Sequence, residues 1–328
     1  MNTIVERLKE RFVRDNKLSI RIYDEPYFYD RLKLYDPFFN TLALWDEFTL
    51  KVSDFHNDEA YFEAYNKVKD NAINYIKDTE AYQEFNKIDM NQYSLPKEVL
   101  QFSSKDIFHD SNIGRTFISI DMRKANFSSM KYYNPAIFNH KDTWEEFLSM
   151  FTDNAAIIKS KYIREVILGN CNPSRHITYE KYLTGTLLLN LMNTLNLTNK
   201  SNPAIIFFSN DEIILDFGKC SMNSVASSEI YKSINQIVTC SPLPFRIELF
   251  TLTGVRQSNK IETIGYIREM YDNTFDFKCF NNFTLPFVLR KMLNQPITES
   301  DLVFKYENNL AKFLETPEIT IIKELKED

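Results

Sequence analysis

Glycine is scarce in this chain, with 6 glycines among 328 residues. Phosphate-binding loops of the dinucleotide-binding and P-loop types depend on closely spaced glycines, because only glycine lets the backbone approach the phosphates. The chain therefore has almost no material for such a loop. The scarcity of glycine argues against a doubly wound nucleotide-binding fold.

Metal-binding and membrane-spanning patterns are also missing. The four cysteines lie far apart without a Cys-x-x-Cys pair, and the four histidines are equally scattered, so we expect no structural zinc site. Isolated cysteines instead predict reduced, mostly buried thiols in an intracellular protein. No run of about 18 apolar residues is present, and the charged N-terminus does not resemble a signal peptide. We expect no membrane partner and a cytoplasmic location.

The net charge of −6 argues against a protein that simply coats nucleic acid, because such proteins are basic. The charge is unevenly spread, since residues 101–200 are net positive and the flanking stretches are net negative. The excess of Asn, Ile, Lys, Phe and Tyr is typical of an AT-rich genome, such as that of a virus, a phage or an AT-rich microbe. A viral chain would be found in the host cytoplasm.

The patterns divide the chain into three stretches and favour an α+β fold. Residues 1–100 predict a mostly helical N-terminal region whose aromatic stripes are more typical of a core than of base-stacking platforms, with a short strand at Leu18–Tyr23. Residues 101–240 predict an antiparallel core with a helical insert. Residues 241–328 predict a smaller C-terminal lobe that is strand-rich and then helical, ending in a helix at Asp301–Leu314.

Two parts of the predicted core carry acidic residues where strands end. The segment Arg115–Met122 alternates and is rich in β-branched residues, which predicts a central strand with Asp121 at its end, followed by a helix. The segment Pro203–Phe217 predicts two strands joined by a tight turn at Ser209–Asp211. A hairpin beside the central strand would bring the two sets of acids together.

Carboxylates from separate strands are what two-metal phosphoryl transfer requires. Asp211 and Glu212 fall at the tip of the predicted hairpin, and Asp216 follows further along. Two divalent ions about 3.5–4 Å apart activate the attacking hydroxyl and stabilise the leaving pyrophosphate. We predict Asp121, Asp211 and Asp216 as ligands of Mg²⁺ (or Mn²⁺), and Asp121, Asp211 and Glu212 as the catalytic carboxylates.

Cationic side chains cluster between the two acidic segments. Lys161, Arg164, Arg175 and Lys181 surround a Gly-Asn-Cys-Asn-Pro break. Lys161 and Arg164 are three residues apart, so they share one face of a helix. Because cations neutralise a triphosphate, we predict that these four residues bind the substrate. His176, in the same stretch, is more typical of a surface or capping residue.

Two of these segments, Ile118–Met130 and Ser209–Leu215, resemble the palm domain of the template-directed nucleic-acid polymerases, most closely a reduced family A DNA polymerase. The first resembles that family's strand with a metal-binding Asp, and the second its His-Asp-Glu turn, with Asn210 in place of His. The resemblance covers about a third of the chain. It implies a palm-like antiparallel sheet with packed helices and a nucleotidyltransferase that extends or synthesises a nucleic-acid strand from nucleoside triphosphates.

Other interpretations stay open. Asp121 also suits the cap of the helix that begins near Ala125, and Asp211 and Glu212 suit the turn of a solvent-facing hairpin. In that case the chain is a non-catalytic viral or phage interaction protein, with a degenerate palm or an unrelated α+β fold. A metal-dependent nuclease would use the same carboxylates, and both DNA and RNA stay open as template and product.

Overall fold

The computed structural model describes residues 6–103, 107–258 and 262–324, which form the predicted mixed α+β fold. The α-helices are α1 (Glu6–Asp15), α2 (Tyr27–Phe39), α3 (Thr41–Val52), α4 (Asp58–Asp78), α5 (Glu80–Lys87), α6 (Lys97–Leu100), α7 (Ala125–Tyr133), α8 (Trp144–Leu148), α9 (Ala155–Ile158), α10 (Lys161–Gly169), α11 (Pro173–Leu195), α12 (Met222–Ser227), α13 (Glu229–Thr239) and α14 (Leu285–Met292). The strands are β1 (Thr116–Met122), β2 (Ala204–Phe208), β3 (Glu212–Asp216), β4 (Phe245–Gln257), β5 (Thr263–Met270), β6 (Phe275–Lys278), β7 (Val303–Tyr306), β8 (Asn309–Lys312) and β9 (Ile319–Ile322).

The N-terminal region is helical because its apolar residues recur at helical spacing. In α1, Leu8, Phe12 and Val13 fall on one side of the helix and are buried. The ring of Phe12 packs edge-on against Trp45 of α3 with the centroids 4.9 Å apart, and Trp45 contacts Phe28 of α2 at 5.1 Å. These aromatic residues of the first hundred thus form a core, as predicted.

Among the described residues, a seven-stranded antiparallel sheet forms the centre of the fold, with six strands in the order β2-β3-β1-β4-β5-β6 and β9 as the seventh. Strand β4 is long enough to pair first with β1 and then, along the same edge, with β9. Helices α7 to α11 connect β1 to β2, and α12 and α13 connect β3 to β4. This β-α-β-β-α-β order is the split βαβ arrangement. It makes the predicted central strand a neighbour of the predicted hairpin.

The two faces of this sheet differ in polarity, because successive strand residues point to opposite sides. On one face, Ile120 of β1 and its cross-strand partners Ile213 and Ile247 lie against α11 and α13, which contribute Leu188 and Ile234. The opposite face, near one end of β1, is called the charged face. It carries Ser119, Asp121, Glu212, Arg246, Glu248 and Arg268.

The predicted strand at Leu18–Tyr23 does not form. This segment is irregular, with Leu18, Ile20 and Ile22 buried in the same core cluster as the N-terminal helices. Alternating burial gave the segment the period of a strand, but no neighbouring strand pairs with it among the described residues. The alternation of apolar residues therefore predicted which side chains are buried, but it did not predict how the backbone is hydrogen-bonded.

The predicted helix at Asp301–Leu314 is also wrong, because most of this segment is the hairpin of β7 and β8. The turn residues Glu307 and Asn308 have φ angles of 47° and 65°. Positive φ at both central residues is what a type I′ hairpin turn requires. The helix α14, in contrast, agrees with the prediction that helix follows the strands of this lobe.

One core cluster extends from Leu8 to Ile319 and draws on all three stretches of the chain. It includes Ile163 and Ile167 of α10, which fixes that helix against the N-terminal helices. None of the helices in the described parts of the chain is long and apolar enough to cross a membrane.

Candidate active site

A cavity of about 740 Å³ lies over the charged face, at the end of β1 that carries Asp121. Strands β1, β3, β4, β5 and β6 contribute its floor, and α10 and the first turns of α11 contribute its walls. Acidic and cationic side chains line it in nearly equal number. Elements that are distant in sequence thus bring opposite charges to one place.

Asp121 lies on β1 and Asp211 in the turn directly before the neighbouring strand β3, and both line this cavity. Asp121 pairs with Glu212 across β1 and β3, and the backbone N–H of Met122 donates to the carbonyl of Asp211 at 2.8 Å. Neighbouring strands are about 4.8 Å apart. The structure therefore brings together Asp121, Asp211 and Glu212, the three predicted catalytic carboxylates.

Asp121 does not cap α7, whereas Asp211 is a residue of the turn before β3, where its Oδ1 accepts from the Ser209 hydroxyl at 3.3 Å, and it also lines the cavity. Among the described residues, no side chain caps α7, and Asp121 instead accepts a hydrogen bond from Nε of Arg246 at 2.9 Å. In the turn between β2 and β3, the N–H of Ser209 donates to the carbonyl of Glu212 at 2.8 Å, and its hydroxyl accepts from the N–H of Glu212 at 3.2 Å. Ser209 thus closes the turn, while Asp211 lines the cavity.

Negative charge accumulates at this end of the sheet. Burial raises the pKa of Asp121, and the charges of Asp211 and Glu212 raise it further, against the opposing effect of Arg246. Burial also raises the pKa of Asp211, with repulsion from Glu180 and Glu212 adding to the effect. Carboxylates in this condition are stabilised by a nearby cation. Perturbed acids in a cavity are typical of functional sites.

Arg246 and Arg268 bind carboxylates of the charged face. Oε1 of Glu212 accepts from the Ser119 hydroxyl at 2.6 Å and from Nη1 of Arg268 at 3.3 Å. Arg246 bridges two carboxylates, because its Nη1 lies 3.0 Å from Oε1 of Glu248 while its Nε binds Asp121. One oxygen of Glu212 is therefore fixed in position over the sheet.

Lys161 and Arg164 lie on the wall that α10 contributes. The Ser160 hydroxyl caps this helix by accepting from the N–H of Ile163 at 3.0 Å, and the spacing of Lys161 and Arg164 directs both toward the cavity. Burial and the neighbouring Lys17 lower the pKa of Lys161 to about 8. Nε of Arg164 is buried, and no acceptor for it exists among the described residues. An anionic ligand would satisfy such groups.

Arg175 and Lys181 lie outside this cavity. On α11, His176, Ile177 and Glu180 line the cavity, and Arg175 and Lys181 do not. Arg175 donates to two backbone carbonyls at the end of α5. The ammonium group of Lys181 lies 5.8 Å from the ring centroid of Phe208. Neither cation is placed to contact a ligand over the charged face.

Asp216 also lies outside the cavity. It is four residues from Glu212 along β3, which is about 13 Å in a strand. Its carboxylate accepts from Nη2 of Arg115 at 2.6 Å and from the N–H of Gly218 at 2.8 Å, and it is 7% exposed. Asp216 therefore stabilises the far end of the sheet, where it cannot share an ion with Asp121.

His176 is buried, so the expectation of a surface residue is wrong, whereas its contact with the last turn of α10 agrees with a capping residue. Its Nδ1 lies 3.0 Å from Oε1 of Glu180, and its Nε2 lies 3.2 Å from the carbonyl of Leu168. Both ring nitrogens therefore face acceptors, which fixes the orientation of the ring. The pair forms part of the wall beside Asp211.

Several residues of the cavity were not predicted, namely Lys17, Arg246, Glu248 and Arg268. The segment Phe245–Leu252 alternates ionisable and apolar residues at Arg246, Ile247 and Glu248, a signal that places both charges on one face of a strand. Arg268 gives no such signal. It is buried over the ring of Phe250, with its guanidinium carbon 4.7 Å from the centroid.

Comparison of the chain with protein-family models, with curated proteins and with solved structures finds no match. The chemistry of the cavity is therefore inferred from its own side chains.

The carboxylates fit a hard cation that is shared with a substrate. No three His, Cys, Asp or Glu side chains within residues 6–103, 107–258 and 262–324 form a ready group for a metal ion. Mg²⁺ in phosphate chemistry usually binds through one or two carboxylates plus the phosphates of the substrate, and it keeps several waters. Asp121 and Asp211 have the oxygen donors that this mode of binding needs, and Asp211 forms no ion pair among the described residues, whereas Asp121 is paired with Arg246.

Proposed function

We propose that this cavity is the active site of a nucleotidyltransferase that extends or synthesises a nucleic-acid strand from nucleoside triphosphates. One observation carries the proposal: the acids of β1 and β3 and the cations of α10 line the same cavity. This is the arrangement that the resemblance to polymerase palms implies. An antiparallel sheet with helices on one face and acids on the other also agrees with a palm.

The acidic side of the cavity would hold the metal. Asp121 and Asp211 would bind Mg²⁺ (or Mn²⁺), which supplies Lewis-acid stabilisation of the phosphates and activation of the attacking hydroxyl. Glu212, which Ser119 and Arg268 hold in position, would orient that site. Asp216 is not part of the proposal, because Arg115 binds it at the other end of β3.

The cationic side of the cavity would hold the triphosphate. Lys161 and Arg164 face the acids across the cavity, and Nε of Arg164 has no acceptor among the described residues. A planar guanidinium donates two parallel hydrogen bonds to a phosphate. Arg175 and Lys181 are left out of this role because they point away from the cavity.

A specific observation favours the alternative of a non-catalytic protein that binds partners. Arg246 already bridges Asp121 and Glu248, so part of the acidic charge is neutralised within the chain. On that alternative the ion pairs are structural and no metal enters. On our proposal Arg246 gives up Asp121 when Mg²⁺ and the triphosphate bind.

A primer-extension assay tests the proposal. Purified protein with Mg²⁺ or Mn²⁺, labelled primers on DNA and RNA templates, and deoxy- or ribonucleoside triphosphates should give extension. Asp121→Asn and Asp211→Asn should each lower the rate by more than about 100-fold, since loss even of an outer-shell partner of a metal costs 10- to 100-fold. Asp276→Asn is the matched control, because Asp276 lines the same cavity three strands away on β6.

The same assay separates the alternatives. Shortening of the labelled strand that depends on Asp121 would identify a nuclease. The absence of both extension and shortening on every template, or rates that Asp121→Asn and Asp211→Asn leave unchanged, would contradict the proposal and favour the non-catalytic protein.

A further inference from the structure

A row of cations follows the outer side of α1 toward the cavity. Arg7, Arg11 and Arg14 are four and then three residues apart, so they lie one above another along the helix. Lys17 follows directly after the helix and lines the cavity. The row Arg7–Arg11–Arg14–Lys17 is called the basic row below.

Aromatic rings fix the guanidinium groups of this row. The Arg7 guanidinium carbon lies 4.2 Å from the ring centroid of Phe62, and that of Arg11 lies 4.3 Å from Tyr65 and 4.5 Å from Tyr162. Stacking on one ring leaves the edge and outer face of the Arg7 guanidinium available and reduces the entropy lost when it binds a ligand. Arg11 contacts two rings, and its Nη1 donates to the Tyr65 hydroxyl at 3.1 Å. Arg7 and Arg11 are thus held by rings and form no ion pair with any carboxylate in the described parts of the chain.

The row is continuous with the cationic wall of the cavity. Nη1 of Arg14 donates to the Tyr162 hydroxyl at 3.3 Å, and Tyr162 is next to Lys161 on α10. Lys17 and Lys161 both line the cavity and are close enough for their like charges to repel. Two acids reduce the charge of the row, because Glu10 pairs with Arg14 and Asp15 interacts electrostatically with Arg11, whereas Arg7 and Lys17 form no ion pair among the described residues.

We propose that the basic row binds the sugar–phosphate backbone of a single-stranded nucleic acid and leads it to the cavity. Cations along a backbone give binding that does not depend on sequence, and aromatic and guanidinium planes provide stacking surfaces for unpaired bases. The chain as a whole has a net charge of −6, so this basic row is a local feature of an acidic molecule. The inference rests on the proposed function for the direction of the strand, but the binding itself requires no catalysis.

Fluorescence anisotropy with labelled 12-residue oligo-dT and oligo-U, without metal or nucleotide, tests the row separately from the proposed activity. The variant Arg7→Gln/Arg14→Gln changes two exposed residues and should weaken binding at least tenfold in low salt. Its plot of log affinity against log salt concentration should flatten by about 1.4, since each backbone phosphate contributes about 0.7 for single strands. Comparison of the two oligonucleotides tells whether DNA or RNA is the ligand.

Three further variants keep the test decisive. Lys97→Gln/Lys291→Gln removes the same charge from exposed positions on α6 and α14 and should bind as the native protein does. Arg7→Lys/Arg14→Lys keeps the charge and should retain the salt dependence. Asp121→Asn should bind the oligonucleotides at least as well as the native protein, even if the chain proves to have no polymerase activity.

The proposal is overturned if the native protein binds neither oligonucleotide, or if Arg7→Gln/Arg14→Gln and Lys97→Gln/Lys291→Gln bind equally. A labelled duplex of the same length is measured as well. If Arg7→Gln/Arg14→Gln weakens duplex binding as much as oligonucleotide binding, the ligand is not specifically single-stranded. Binding of a polyglutamate peptide as tightly as the oligonucleotides would mean that the row accepts any polyanion, which also contradicts a nucleic-acid site.

Discussion

Individual acids of the chain differ in what they do for stability. Asp211 lies in the cavity without an ion pair among the described residues, and burial with neighbouring acids raises its pKa. Burial opposes the ionised form of Asp110 as well, but hydrogen bonds from Thr263, Arg256 and Tyr266 outweigh it and lower its pKa. The first acid therefore costs stability when ionised, and the second contributes stability.

This contrast predicts opposite effects of the same substitution. Asp211→Asn should raise the melting temperature by about 2 °C at pH 7, because it removes a charge that the fold disfavours. A raised pKa adds stability that is present below the ordinary value of 3.8 and is lost as the pH rises through the folded-state value. The gain from Asp211→Asn should therefore disappear in thermal unfolding below about pH 4.

Asp110→Asn should behave in the opposite way. A lowered pKa gives stability that is present above 3.8 and is lost as the pH falls through the folded-state value. The substitution should destabilise the protein by at most about 1 kcal/mol at pH 7, since Asp110 is 39% exposed and solvent screens its hydrogen bonds and ion pair, and the difference should shrink in acid. Destabilisation by Asp211→Asn at pH 7 would show that Asp211 is a structural acid.

The start of helix α10 determines where the cations Lys161 and Arg164 lie. Helix α10 begins at Lys161, directly after the cap Ser160, and Asp15 accepts from the Ser160 hydroxyl at 2.6 Å and from the N–H of Tyr162 at 3.2 Å. The N-terminal region thus holds the first turn of α10 against the cavity. The position of Lys161 and Arg164 depends on this contact.

Loss of this cap should affect substrate binding more than turnover. Ser160→Ala removes a cap that contributes about 1 kcal/mol and releases Asp15, so we expect KM for the nucleotide to rise several-fold with a smaller change in kcat. Ser221→Ala removes the equivalent cap of the distant α12 and is the control for general destabilisation. Equal effects of the two substitutions on KM would contradict a positioning role of Ser160.

Some strands of the sheet could be predicted from the sequence, and the pairing between others could not. The strand β1 and the hairpin of β2 and β3 were predicted because their apolar, β-branched runs and their turn are local signals. The pairing of β4 with β1 is a long-range contact, so the arrival of Arg246 and Glu248 beside Asp121 could not be predicted locally. Asp216 was assigned to the site on sequence proximity, but a strand carries successive residues steadily away from its end.

At the scale of the whole molecule, a buried ion cluster connects the C-terminal lobe to the N-terminal helices. Asp301 is 1% exposed, and its two oxygens lie 3.1 Å from Nη1 of Arg31 on α2 and 2.9 Å from Nε of Arg290 on α14. The core cluster that spans the chain contains residues from the same helices. These contacts make the N-terminal helices and the closing lobe depend on each other.

Asp301→Asn should therefore destabilise the whole fold. It leaves the buried Arg31 and the partly buried Arg290 without a counter-charge, which costs about 3–5 kcal/mol. Urea unfolding monitored by circular dichroism measures this loss. The control Asp142→Asn breaks an ion pair with Lys131 in which Asp142 is 87% exposed, and exposed pairs contribute at most about 1 kcal/mol. If the two substitutions had similar effects, the buried cluster would not be a link between the two regions.

The central claim is that Asp121 and Asp211 bind a divalent ion together with a triphosphate. The most direct measurement is the affinity of the protein for Mn²⁺ with a non-hydrolysable nucleoside triphosphate, followed by the relaxation of water protons. We predict that the native protein and Asp276→Asn bind this complex alike, and that Asp121→Asn and Asp211→Asn each bind it at least about tenfold more weakly. Equal affinity of all four proteins would contradict the claim.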